Sequence, residues 1–165
     1  MADAKMATCL WFDGGAKDAA DLYCSLFPDS EVTRVDSAPT DYPGGKKGDV
    51  LTVGFTMLGQ SFMGLNGRPK LEDENGFTDA VSFQVFTETQ EETDRYWAAL
   101  TADGGGEMAC SWCYDRFGVR WQIVPRVLMD GLGHENPETR GRVFGAMQQM
   151  IKIDHAAIEA AIAGE

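Results

Sequence analysis

Hydrophobic and polar positions alternate through residues 7–13 (ATCLWFD), with Leu10 and Phe12 on one side and Cys9 and Trp11 on the other, as in a half-buried strand. Gly14 and Gly15 end that pattern, and Ala19, Ala20, Tyr23, Leu26 and Phe27 then recur at helical spacing until Pro28 stops the helix predicted over 16–27. Residues 30–35 are rich in β-branched side chains, and 50–57 with 60–65 read as a hairpin turning at Leu58 and Gly59. Between them, 38–48 (APTDYPGGKKG) is a Pro/Gly-rich loop. After a polar stretch at 68–78 the order recurs: a strand over 80–86, a helix over 89–102, and strands over 107–112 and 120–125 joined by the turn 115–118 (DRFG).

The recurrence survives direct comparison. A shift of 73 positions puts Leu10 on Phe83, Phe12 on Val85, Ala20 on Thr93 and Tyr23 on Tyr96, whereas in the hairpins a shift of 59 puts Gly59 on Gly118, Phe62 on Trp121 and Leu65 on Val124. One loop insertion, the Pro/Gly loop of the first unit, accounts for the difference. The pattern is strand, helix, then three strands, twice. Beyond it, 136–165 is helical, with Val143, Phe144, Met147, Met150 and Ile151 on one face and Asp154 placed to cap a short helix carrying Ile158 and Ile162. That stripe docks on its own chain or across a dimer interface.

Composition narrows the partners. A chain of 165 residues has room for one core, and its 44% hydrophobic and 24% charged residues are ordinary for a folded protein. A formal net charge of −12 sets up a field that repels nucleic-acid phosphates and anionic membranes. There is no run of eighteen apolar residues and no secretion-type leader in MADAKMATCLWF, so the expected location is the cytoplasm, with Cys9, Cys24, Cys110 and Cys113 reduced.

Four segments together carry a resemblance: 9–32 (CLWFDGGAKDAADLYCSLFPDSEV), 55–67 (FTMLGQSFMGLNG), 81–100 (VSFQVFTETQEETDRYWAAL) and 111–128 (SWCYDRFGVRWQIVPRVL). They resemble the PhnB-like family, whose members are often labelled 3-demethylubiquinone-9 3-methyltransferase-like, and the tail 145–161 is of a type that often ends these proteins. The resemblance implies the vicinal oxygen chelate (glyoxalase-like) architecture: an α+β fold of two βαβββ modules forming an open barrel around a cavity, plus C-terminal helices, commonly as a homodimer. The modules are expected at 1–72 and 73–130 and the helical extension at 131–165, within a single structural domain.

In metal-using relatives each module supplies a ligand from its first strand and one from its last. The matching positions here are Ala7 and Ala80 on the first strands and Met63 and Gln122 on the last, of which only Gln122 offers a donor. One carboxamide does not retain a divalent ion, so no metal and no cofactor are expected. His134 and His155 lie outside the strands and read as surface or packing residues.

The remaining motifs have plain readings. Cys110 and Cys113 form a C-x-x-C, but on one strand they would point to opposite faces, unlike a redox pair at a helix N-terminus. Trp121 reads as core and Trp11 as cavity wall; Asp13 and Asp115 adjoin glycine-containing turns, where Asp caps backbone. A glycine-rich loop of the S-adenosylmethionine-binding type is represented only by the fragment Asp13-Gly14-Gly15. The expectation is a metal-free dimer that binds a small, partly apolar molecule between Trp11, Met63, Ser82, Gln84, Trp112 and Gln122, with no catalytic residue assigned. The alternatives are a metal-dependent lyase, isomerase or dioxygenase of the same superfamily and, further off, a methyltransferase.

Overall fold

The alternation at the start of the chain becomes β1 (Thr8–Phe12), in which Leu10 and Phe12 are buried and Cys9 and Trp11 exposed. The structure is a computed structural model that describes residues 5–68 and 77–165. The two-glycine turn after β1 uses positive φ at both Gly14 (85°) and Gly15 (81°), which a side chain would resist. It leads into α1 (Ala16–Leu26), whose first N–H is taken by the Asn66 side chain at 2.9 Å. β2 (Glu31–Ser37), β3 (Val50–Met57) and β4 (Gln60–Asn66) follow, in the sheet order β1-β4-β3-β2 with β1 parallel to β4. α1 lays Ala16, Ala19, Ala20 and Tyr23 on this sheet, and Phe55 stacks on Phe62 at 5.3 Å between ring centroids.

The second unit repeats this topology with β5 (Phe83–Thr87), α2 (Gln90–Thr101), β6 (Gly106–Glu107), β7 (Trp112–Tyr114) and β8 (Arg120–Pro125), in the order β5-β8-β7-β6 with β5 parallel to β8. Thr89 caps α2 by accepting from the Glu92 N–H. Thr93, Tyr96, Trp97 and Leu100 of α2 are buried on one side, as are Cys113, Trp121 and Ile123 of the strands. The fold is α+β, with one four-stranded mixed sheet in each of the two repeats, followed by C-terminal helices.

Three helices complete the second unit: α3 (Arg126–Leu132), α4 (Pro137–Met147), capped by Asn136, and α5 (His155–Ala163), capped by Asp154 as its sequence predicts. They share one core, in which Val124 and Leu128 pack with Val143, Ile153 and Ile158. Most of the apolar stripe of the tail therefore docks on its own chain, while Phe144 and Ile151 stay half exposed. The chain divides into two compact units, Met1–Gly76 and Phe77–Glu165. The boundary expected at 72/73 lies outside the described residues, and the one expected at 130/131 falls inside α3, because Leu128 ties that helix to the core of the tail.

Two strands are shorter than expected. The strand predicted over 80–86 begins only at Phe83, because the Thr78 hydroxyl and carbonyl take the N–H groups of Ala80 (3.4 Å) and Val81 (3.5 Å) into a turn. The strand predicted over 107–112 is broken between β6 and β7, where Cys110 and Ser111 adopt left-handed φ of 58° and 69°. Their N–H groups donate to Met150 and Ile151 of the tail at 2.9 and 2.8 Å, so distant chain holds the break in place.

The repeat also needs correcting by two residues. Thr8 pairs with Phe62 and Phe83 with Trp121, so β1 maps onto β5 with a shift of 75 rather than 73, and Leu10 corresponds to Val85. The helices keep the shift of 73, with Tyr23 and Tyr96 both buried. The extra residues sit in the glycine turn of the first unit. Because the slip is even, every side chain keeps its predicted face.

Candidate functional site

In the second unit the side of the sheet away from α2 carries an ordered polar rank. Gln84, Gln122 and Trp112 are register partners on the adjacent strands β5, β8 and β7 and so share one face. The Gln84 side chain donates through Nε2 to Gln122 Oε1 at 3.0 Å, and Gln122 Nε2 in turn donates to Ser82 Oγ at 2.7 Å. Each carboxamide orients the next, and among the described residues a donor on Ser82 and an acceptor on Gln84 remain for another molecule. Four of the six residues singled out from sequence, Ser82, Gln84, Trp112 and Gln122, thus come together.

The rank borders a cavity of about 220 Å³ walled on one side by β7 and β8 and on the other by α3 and α4, through Leu128, Met129, Leu132 and Met147. Cys110 and Ser111 also line it. These two and the helical wall are absent from the sequence expectation. Nothing local in sequence announces two consecutive non-glycine residues in left-handed conformation, and α3 was not anticipated as an element.

The other two predicted residues lie on the first sheet. Cys9 pairs with Met63 and Trp11 with Leu65, so Trp11 and Met63 share its open face, both partly exposed. Gly67 lies against the Trp11 indole, and a Cβ there would collide with Nε1. The row matching Gln84–Gln122–Trp112 is Cys9–Met63–Gly54, without a carboxamide.

Metal-ligand chemistry does not fit these positions. With the strand shift corrected, the counterpart of Ala7 is Ser82, and the carboxamide of Gln122 is already hydrogen-bonded through both its oxygen and its nitrogen. Among the described residues no three His, Cys, Asp or Glu side chains converge. His155 is hydrogen-bonded to Thr93 at 2.9 Å, and His134 Nδ1 accepts from the Asn136 N–H at 3.1 Å, so both work in packing and turn formation.

The C-x-x-C is no dithiol site: all four cysteines are free, and Cys110 lies in the left-handed break while Cys113 is fully buried on β7. Burial, with smaller contributions from the Asp115 and Glu107 carboxylates, pushes the Cys113 thiol up to about 12. Asp115 accepts from the N–H groups of Phe117 (2.9 Å) and Val119 (3.1 Å) and from Trp121 Nε1 (2.8 Å), which makes it the structural cap of its turn.

Comparison with known proteins agrees with this architecture. A PhnB protein of Bacillus cereus, solved under the same methyltransferase label, is 32% identical over 74% of this chain and 99% of its own, with a TM-score of 0.63. A Pseudomonas aeruginosa protein (18% identity, 74% and 98% coverage, TM-score 0.53) and the fosfomycin resistance protein FosX of Listeria monocytogenes (16%, 76% and 93%, 0.50) share the fold. No curated protein sequence matches the chain. The family model of 3-demethylubiquinone-9 3-methyltransferase matches residues 4–124, ending just before α3, and on that match the chain belongs to this PhnB-like family.

Proposed function

We propose that the protein binds a small, partly apolar molecule, without a metal, against the open face of its second sheet. The observation that carries this reading is the prealigned Ser82–Gln122–Gln84 chain beside Trp112, at the mouth of a cavity whose far wall is apolar. A few fixed polar groups set in apolar surroundings are what small-molecule sites consist of. Trp11 and Met63 are assigned the same role on the first sheet, where they offer aromatic and thioether contact surface. Methyl transfer is less well supported: each sheet has a single parallel strand pair, unlike the parallel sheet of a dinucleotide-type fold.

The reading includes a cytoplasmic homodimer. Four free cysteines suit a reducing compartment, and Val35, Phe144 and Ile151 leave apolar surface that a second copy can cover. Among the described residues no helix is long and apolar enough to cross a membrane.

The test is a thermal-shift screen of chelator-treated protein against divalent metals, S-adenosylmethionine and small aromatic and aliphatic compounds. Organic compounds are expected to raise the melting temperature saturably, and Gln122→Met to abolish that rise. A larger saturable shift with Ni²⁺, Zn²⁺, Mn²⁺ or Fe²⁺ overturns the reading and restores the metal-dependent enzyme.

A further inference from the structure

Residues Arg126 to Ala163, which form α3, α4 and α5, lie beyond the segment matched by the family, yet α3 and α4 build one wall of the cavity. Three properties of that cavity bear on what enters it. Among the described residues, no side chain lining it carries a formal charge, in a chain whose net charge is −12. The helical wall is hydrocarbon and thioether: Leu128, Met129, Leu132 and Met147. The third is Ser111. It is only 2% exposed and its hydroxyl has no hydrogen-bond partner among the described residues, yet no buried side-chain oxygen or nitrogen there is both sealed and unpaired. The Ser111 hydroxyl therefore keeps some of the residue's small accessible surface, and the residue lines the cavity.

We infer that the C-terminal helices restrict this site to small electrically neutral molecules, with an apolar body against α3 and α4 and one hydroxyl or carbonyl group bonded by Ser111 and the Gln84–Gln122 pair. The inference rests on the reading of the cavity as a ligand site. Among the described residues a carboxylate or phosphate would meet no cation in the wall, and it would meet a repulsive field from the chain, while an ammonium group would meet no lining carboxylate there. A hydroxyl can pair with the buried Ser111 hydroxyl.

The experiment uses the full-length protein and follows the side-chain amide signals of Gln84 and Gln122 and the indole signal of Trp112 by ¹H–¹⁵N NMR. The probes are aryl and alkyl alcohols, the carboxylates and amines of the same skeletons, and the parent hydrocarbons. The alcohols are expected to bind at least about tenfold more tightly than the charged members. Ser111→Ala should weaken the alcohols by about three- to tenfold and leave the hydrocarbons unchanged. Met129→Arg, at a partly exposed position of α3, should raise carboxylate affinity above that of the alcohols. The charge series is read on the unaltered protein and stands whether or not Ser111→Ala folds. Charged probes that bind there as well as the alcohols overturn the inference and leave the site reading intact, as does an unchanged order in Met129→Arg. If no probe moves these signals, the site reading itself falls.

Discussion

Cys113 shows how one side chain couples packing to pH. It is the register partner of Trp121 and fully buried, and its thiol is held near 12, against an ordinary value of 9.0. Between those values the unfolded chain gives up its thiol proton while the folded chain keeps it, so the stability present below pH 9.0 is lost as pH rises toward about 12. The slope from this group is about 1.4 kcal/mol per pH unit. Urea titrations from pH 8 to 11 should show that decline, with a shallower alkaline limb in Cys113→Ala despite lower stability at pH 7. A thiol reagent at pH 8 should modify exposed Cys9 and reach Cys113 only after unfolding. Other single-residue roles divide by how local their cause is. Asp115 reads as a turn cap from its neighbours alone and is one, whereas Ser111 has an ordinary sequence neighbourhood and gains its place from the Met150–Ile151 backbone that holds it.

At the level of elements, the β3–β4 hairpin turns on two residues, Leu58 and Gly59, with φ of 49° and 73°. Positive φ at both positions is the type I′ turn that suits the twist of the flanking strands, and leucine is poorly suited to the first position. Leu58→Asn should stabilise the protein by about 0.5–1 kcal/mol, read as a higher urea midpoint with unchanged slope. A loss of stability would mean that the partly exposed leucine earns its place by packing. Turn glycines, helix caps and the Gln60–Asn66 strand were legible because their signals lie within a few residues. The two-residue slip between the modules was not, since Tyr23 and Tyr96 align the helices while the strand offset hides in the Gly14–Gly15 turn. Because that slip is even, Ser82 and Gln84 keep the face on which their alternation places them, although β5 begins only at Phe83.

Across the whole chain, two modules with one topology have diverged in what they place on the open face: Cys9, Met63 and Gly54 in one, Gln84, Gln122 and Trp112 in the other. The second module has also become dependent on the tail. Val143, Ile153 and Ile158 are closed to solvent in a core with Val124 of β8, and Gln90 of α2 grips the tail by accepting from the His155 N–H at 2.8 Å and donating to the Ile153 carbonyl at 3.3 Å. A chain ending at Pro125 keeps the whole family-matched segment but loses these contacts and uncaps the N–H groups of Cys110 and Ser111. Each of the three fully buried aliphatic side chains is worth about 1.5–3 kcal/mol, so their loss alone rivals the roughly 5–15 kcal/mol that holds an ordinary domain together. The truncated protein should therefore lose cooperative unfolding of the second unit, with signals from Trp112 and Trp121 collapsing while those from the first unit persist. If it instead melts like the full chain, the family-matched segment is sufficient for folding, and the tail serves the cavity alone.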